Sequence, residues 1–253
     1  MKPYFTLSLL LILFASNSAI AQSNKRIHQS FNDNWKFNLG DVKDAEQTFY
    51  NDAAWRSLAL PHDWSIELPF DKDSPTGNGG GALRGGMGWY RKAFTLPATA
   101  KGKFVAITFD GVYRKSEVWI NGHYLGKRPY GYSSFQYELS PYLNYGNEKN
   151  IIVVKVDNSQ QPNSRWYSGS GIYRNVWLTI ADKVHIVYNG TNLSTSEVSE
   201  KFANISFEAR ILNQYEEAKD VVLTNTLYDA NGKVITGAIS KINQGANSVV
   251  GLR

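Results

Sequence analysis

Cysteine is absent from the 253 residues, methionine occurs twice, and only four histidines are present. Without thiols the chain can form neither disulfides nor thiolate metal sites, so packing alone must hold it together, even in a compartment that permits disulfides. The histidines, His28, His62, His123 and His185, share no short metal-ligand spacing, which gives no reason to expect a metal or other cofactor. Charge of one sign is also weakly represented: 27 Lys and Arg against 22 Asp and Glu leave a formal +5, scattered without a run of five or six. That distribution describes a solvated surface and offers nucleic acid no basic stripe. Long apolar runs are missing too. The longest, Tyr4 to Phe14, is shorter than the roughly 20 residues a spanning helix needs.

That short run has a different reading. Lys2 precedes it, and Ala19-Ile20-Ala21 before Gln22 matches the small-residue pattern of signal-peptide cleavage. Residues 1–21 are therefore expected to be a secretory leader, placing the remainder in the periplasm or outside the cell, with no membrane attachment after cleavage. Removing them takes away one charge, that of Lys2, and the rest stays mildly basic.

From about residue 26 to 182 the chain breaks into short runs rich in Val, Ile, Phe, Tyr and Trp, punctuated by Gly, Asn, Asp and Pro. Phe104–Phe109 alternates with period two, and Lys115–Ile120 follows. Asn121-Gly122 then stands where a two-residue hairpin turn belongs, before His123–Leu125. Ile151–Val156 is apolar enough for the middle of a sheet, and Asn175–Ile180 is a further strand. Trp35, Trp55, Trp119 and Trp177 lie in or beside such runs and are expected to pack in the core. No helical period of comparable strength occurs. A second unit starts near Lys183, with strands expected at Val184–Val187, Phe202–Ile211, Val221–Tyr228 and, after an Asp229–Gly232 turn, Lys233–Thr236. The spacing suits an immunoglobulin-like sandwich, but such sandwiches take about seven strands in roughly 100 residues. Residues 183–253 are expected to be an incomplete copy.

The 7 Trp and 15 Tyr are numerous, and several sit beside turn residues, where aromatic faces are open to stack on sugars. Three segments stand out: Leu60-Pro61-His62-Asp63-Trp64, the glycine-rich stretch Gly79 to Arg91, and Asn163 to Arg174, each read as a loop leading into a strand. The glycine-rich stretch lacks the Gly-Lys-Ser/Thr ending and following helix of a phosphate loop.

With Asp33–Phe37, Gly88–Lys92, Phe109–Val112, Val118–Gly122 and Ser168–Val176, these segments resemble glycoside hydrolase family 2, of the β-galactosidase and β-glucuronidase type, over about residues 27 to 253. The resemblance implies an all-β chain: a jelly-roll, galactose-binding-like sandwich over 24–182, then the truncated immunoglobulin-like sandwich. It also implies that catalysis belongs to a following (β/α)8 barrel, absent from these residues, where two glutamates do retaining chemistry. No catalytic residue is therefore expected here. Asn147-Glu148, which superficially matches the family's acid/base dipeptide, is read as a polar turn, and Asp63 and Glu67 as structural.

The expected partner is carbohydrate, a β-galactoside or related glycoside, together with the missing barrel; a homo-oligomer of the full-length form is compatible with this. In the family the loop matching Asn163–Tyr167 reaches the terminal-sugar pocket, and some members carry an aspartate where this chain has Arg165, so their sugar preference does not transfer. The candidate substrate-binding residues are Asn163, Arg165, Trp166, His62 and Asp63. For Arg165 and Trp166 the alternative is mutual stacking, and for His62 a buried imidazole bonded to backbone. The competing function classes are a free-standing carbohydrate-binding module and a structural or adhesive sandwich.

Overall fold

A computed structural model describes residues 26–252, so the leader expected at 1–21 lies outside the described residues. Ten strands build the first unit: β1 (Ile27–Ser30), β2 (Trp35–Leu39), β3 (Arg56–Leu58), β4 (Gly86–Phe94), β5 (Phe104–Phe109), β6 (Ser116–Ile120), β7 (His123–Arg128), β8 (Phe135–Glu138), β9 (Asn150–Asn158) and β10 (Val176–Ala181). They form two antiparallel sheets, ordered β1-β10-β5-β8 and β3-β2-β4-β9-β6-β7. Between them lies a core that includes Trp35, Tyr90, Ile107, Phe109, Ile152 and Leu178. The all-β reading holds, with only short 3-10 turns as helix among the described residues.

The pleat explains which residues go where. On β9, Ile152, Val154 and Val156 enter the core, while Val153 joins Trp55 and Trp89 in a smaller cluster under residues 42–55. With both faces covered the strand reads as a continuous apolar run, and it lies between β4 and β6, away from either edge. At the β6–β7 turn Ile120 pairs with His123, and Asn121 and Gly122 take φ of 49° and 82°, the two positive values a type I′ turn demands. The tryptophan expectation needs correction. Trp35 and Trp55 are buried, but Trp119 and Trp177 are only half-buried on outer faces. Each alternates with core neighbours, Val118 and Ile120 or Val176 and Leu178, so period two turns it outward. There Trp119 stacks on Trp89 and Trp177 on His28.

Five further strands follow: β11 (Val184–Val198), β12 (Ala203–Asn213), β13 (Lys219–Tyr228), β14 (Val234–Gln244) and β15 (Ser248–Leu252), paired as β11-β12-β15 and β13-β14. β11 and β14 run well past the four-residue stretches the sequence suggests. Their extensions are Ser-, Thr- and Gly-rich and carry little apolar signal; cross-strand partners on β12 and β13 keep them extended. This unit packs on the first partly through His185, whose ring stacks on Phe104 at 4.1 Å.

The two units differ in core. Among the described residues, twenty-three make the main buried cluster of the first unit, beside two smaller ones, and three, Ala209, Ile211 and Leu223, make that of the second. At about 1.5–3 kcal/mol for each large side chain buried, the second unit has far less to hold it. Leu193, Phe202, Val222, Ile235 and Ile239 are all exposed. Limited proteolysis is expected to degrade residues 183–253 first and leave a resistant core ending near 182. Equal resistance of both parts in a time course would contradict this.

Candidate functional site

The three distinctive segments meet at one end of the first sandwich. The peptide N–H of His62 donates to Ile172 O at 2.9 Å and that of Trp64 to Ser170 O at 3.1 Å, so the two segments run side by side. The Trp64 indole N–H donates to Gly85 O at 3.1 Å and brings in the glycine-rich stretch. Leu60–Trp64 does not lead into a strand as expected, but into a 3-10 turn at Ser65–Glu67. The Asp63 carboxylate accepts the Ser65 N–H at 3.0 Å, and such aspartate caps bend the backbone locally.

Asp63 also accepts the Ser170 N–H at 2.8 Å and the Tyr167 hydroxyl. Burial, and then this carboxylate, push the Tyr167 phenol far above its ordinary pKa, so it stays a donor. Asn158 donates to Gly169 O and Ser170 Oγ, and accepts from Asn163 Nδ2 at 2.7 Å. The loop from 159 to 171 is thus tied down at both ends and in its middle.

His62 lies beneath this network, 8% exposed. Its Nε2 is 2.8 Å from an Arg56 guanidinium nitrogen and its Nδ1 2.7 Å from Tyr90 Oη. A guanidinium only donates, so Nε2 accepts and the ring proton is assigned to Nδ1, donating to the phenol. Burial lowers the His62 pKa against the opposing pull of Glu67, which keeps the ring neutral. Its partners are side chains, where the sequence suggested backbone. The polar atoms of His62 and Asp63 are occupied by protein, which makes both supports of the loop, while Glu67 ion-pairs with Arg56 at 2.7 Å.

Above them lies an open rim. Asn163 is half-buried, whereas Arg165, Trp166 and Tyr167 are exposed. Trp166 does not stack on Arg165. Its indole N–H donates to Tyr132 Oη at 2.9 Å, and the Tyr132 ring packs 5.2 Å from Tyr113 and 5.6 Å from Tyr130. Tyr113 donates to Asn163 Oδ1 at 2.9 Å. The Arg165 guanidinium has no hydrogen-bond or ion-pair partner among the described residues. Tyr130 and Tyr132 were missed in the sequence reading; two aromatics flanking Gly131 after Pro129 were the available signal. No group of three or more His, Asp or Glu among the described residues is placed to hold a metal ion. What the rim offers is aromatic faces, a phenol and a free guanidinium, the groups that stack on sugar rings and bond their oxygens.

The family model described as "Glycosyl hydrolases family 2, sugar binding domain" matches residues 28–181, which include the whole of this loop cluster. The chain belongs to glycoside hydrolase family 2. Among its family 2 relatives, β-galactosidase BoGH2A of Bacteroides ovatus is 48% identical over 220 residues, and a putative β-glucuronidase of Formosa agariphila 42% over 225 residues. These alignments take in 87% and 89% of this chain but 26% and 21% of the relatives, so the chain spans about a quarter of their length. Among solved structures, a family 2 member from Bacteroides cellulosilyticus superposes with a TM-score of 0.83 at 33% identity, over 89% of this chain and 30% of that one. A β-glycosidase from Bacteroides vulgatus gives 0.75 at 42%, over 85% and 28%.

Proposed function

We propose that this chain is the sugar-binding front portion of an exported, retaining β-glycosidase of the β-galactosidase or β-glucuronidase type, and that it supplies the Asn163–Tyr167 loop as one wall of the terminal-sugar pocket. The observation that carries this reading is the convergence of all three distinctive segments on one loop whose exposed rim holds Arg165 and Trp166. A retaining hydrolase needs two carboxylates about 5–5.5 Å apart, one as nucleophile and one as acid/base. In this proposal both come from a barrel that residues 1–253 do not encode. The role of the front portion is to orient the sugar and exclude water beside them.

The test follows from having one wall of a pocket. Purified chain is expected to give no turnover of aryl β-galactosides or β-glucuronides, and to bind a monosaccharide at best in the millimolar range, about −4 kcal/mol. The double substitution Arg165→Ala with Trp166→Ala abolishes that binding. Supplying the barrel in trans restores turnover with the wild-type front portion and not with Arg165→Ala. Hydrolysis by the chain alone would overturn the proposal. Micromolar binding that survives the double substitution would make the chain a free-standing binding module instead.

Export is part of the same proposal and rests on Lys2, the Tyr4–Phe14 run and Ala19-Ile20-Ala21. N-terminal sequencing of exported material is expected to begin at Gln22 or within a few residues; soluble exported chain retaining Met1 would disprove it.

A further inference from the structure

A second aromatic surface lies away from the loop cluster, on the outer face of the β1-β10-β5-β8 sheet. On that face Trp177 pairs across to Thr108 on β5, and His28 to Thr179 on β10. The His28 and Trp177 rings are stacked, 4.8 Å between centroids and 17° from parallel. The Trp177 indole N–H donates to Asp110 at 2.8 Å, His28 Nδ1 lies 3.0 Å from Thr179 Oγ1, and Gln136 donates to Thr108 at 2.9 Å. The rings are therefore held before any ligand arrives, which lowers the entropy lost on binding.

The second unit covers this sheet only in part. His185 closes over Phe104, but from there β11 stands off: Ile186 pairs with Ile211 and Thr191 with Ala209, leaving Val187–Gly190 as a bulge. The bulge overhangs the face and leaves a groove of about 450 Å³ whose lining includes His28, Trp177, Gln136 and Asn189 and one charge of each sign, Arg26 and Asp110. That volume lies within the roughly 300–1,000 Å³ of small-ligand sites. Bulges commonly re-aim side chains beside such sites.

We propose that this groove is a second carbohydrate site, taking a hexopyranose unit of a glycan on the His28–Trp177 pair. The Trp177 face turned away from His28 meets the C–H face of the sugar, and His28 holds that indole in place. Gln136, held by the buried Thr108 hydroxyl, and Asn189 meet its hydroxyls both as donors and as acceptors, while the Asp110 carboxylate accepts from one hydroxyl and the Arg26 guanidinium donates to another. The site is independent of the Arg165–Trp166 rim, so the two stand or fall separately.

The experiment is an NMR titration of the full chain with lactose and cellobiose, following the indole N–H signals of Trp166 and Trp177, assigned with Trp→Phe variants. Both disaccharides are expected to shift the Trp177 signal. His28→Ala, on an exposed edge strand, weakens that response about tenfold. Thr108→Val weakens it as well, and Arg165→Ala leaves it unchanged. A Trp177 signal that stays still with both disaccharides overturns the proposal. Shifts at Trp166 alone would do so while leaving the rim reading intact; shifts at Trp177 alone would support the groove and count against the rim. A Trp177 response untouched by both His28→Ala and Thr108→Val also overturns it.

Discussion

Gly171→Ala is expected to lower the melting temperature by about 6–12 °C, the shift that roughly 3 kcal/mol produces in a chain of this size. Gly171 carries φ +123°, and a Cβ added there would lie 2.3 Å from Tyr90 Oη and 2.8 Å from His62 O. Neither atom can retreat, because Tyr90 is fully buried and its hydroxyl is bonded to His62 Nδ1. Overpacking of this kind costs about 1–3 kcal/mol, and positive φ in a residue with a Cβ about 1–2 kcal/mol more. Gly86 separates the two effects. Its φ is +117°, but nothing stands within 4 Å of the added Cβ, so Gly86→Ala isolates the backbone cost. Thermal unfolding followed by circular dichroism should place Gly171→Ala well below Gly86→Ala. Coincident melting curves would show that the contact under the loop relaxes freely. The same clash displaces Ser170 from Asp63, so the Gly171 variant should also lose whatever sugar affinity the rim has.

Arg91→Met is the second large effect, expected to cost about 2–4 kcal/mol, because it takes the donor from three backbone carbonyls and from the part-exposed Asp52 carboxylate. The Arg91 side chain is buried on the outer face of the six-stranded sheet, where residues 42–55 fold over it. It donates to Asp52 at 2.9 Å and to the carbonyls of Ala45, Gln47 and Tyr50. One guanidinium thus organises a segment that has no regular secondary structure of its own. Methionine keeps much of the volume and leaves those acceptors without their donor. Arg91→Lys should recover little, because an ammonium cannot span the same fork of acceptors. Chemical denaturation measures the cost, and hydrogen exchange should show protection lost first in residues 42–55. A variant as stable as wild type would mean that the Trp55–Trp89–Val153 cluster alone holds the segment.

Arg91 also illustrates what is hard to read in a sequence. An arginine inside Trp89-Tyr90-Arg91-Lys92 looks like a solvent-facing strand residue, and only the segment folded over it, some 40 residues earlier in the chain, buries it. Trp177 fails in the opposite direction: its neighbours in Asn175–Ile180 make it look like core, and its place in the alternation turns it outward. Tyr132 could not be linked to Trp166 from spacing, because 34 residues separate the two ends of that hydrogen bond.

What the sequence determined by itself was local or cumulative. Short runs rich in β-branched and aromatic residues placed β5 and β6, Asn121-Gly122 set the hairpin, the doubly apolar run identified β9 as a central strand, and the ordered motifs from Asp33 to Val176 pointed to the family. Each depends on neighbours within a few residues, or on many weak signals adding along the chain. The tertiary structure alone decided that His62 and Asp63 support the loop from below while Arg165 and Trp166 face solvent, and that a bulge in β11 opens a groove over Trp177. Those outcomes depend on contacts between residues 28 and 177, 63 and 170, or 62 and 90. A hydrogen bond or ring stack acts over a few ångströms in space, whatever the separation along the chain, so only the folded arrangement of the sheets can bring such pairs into range.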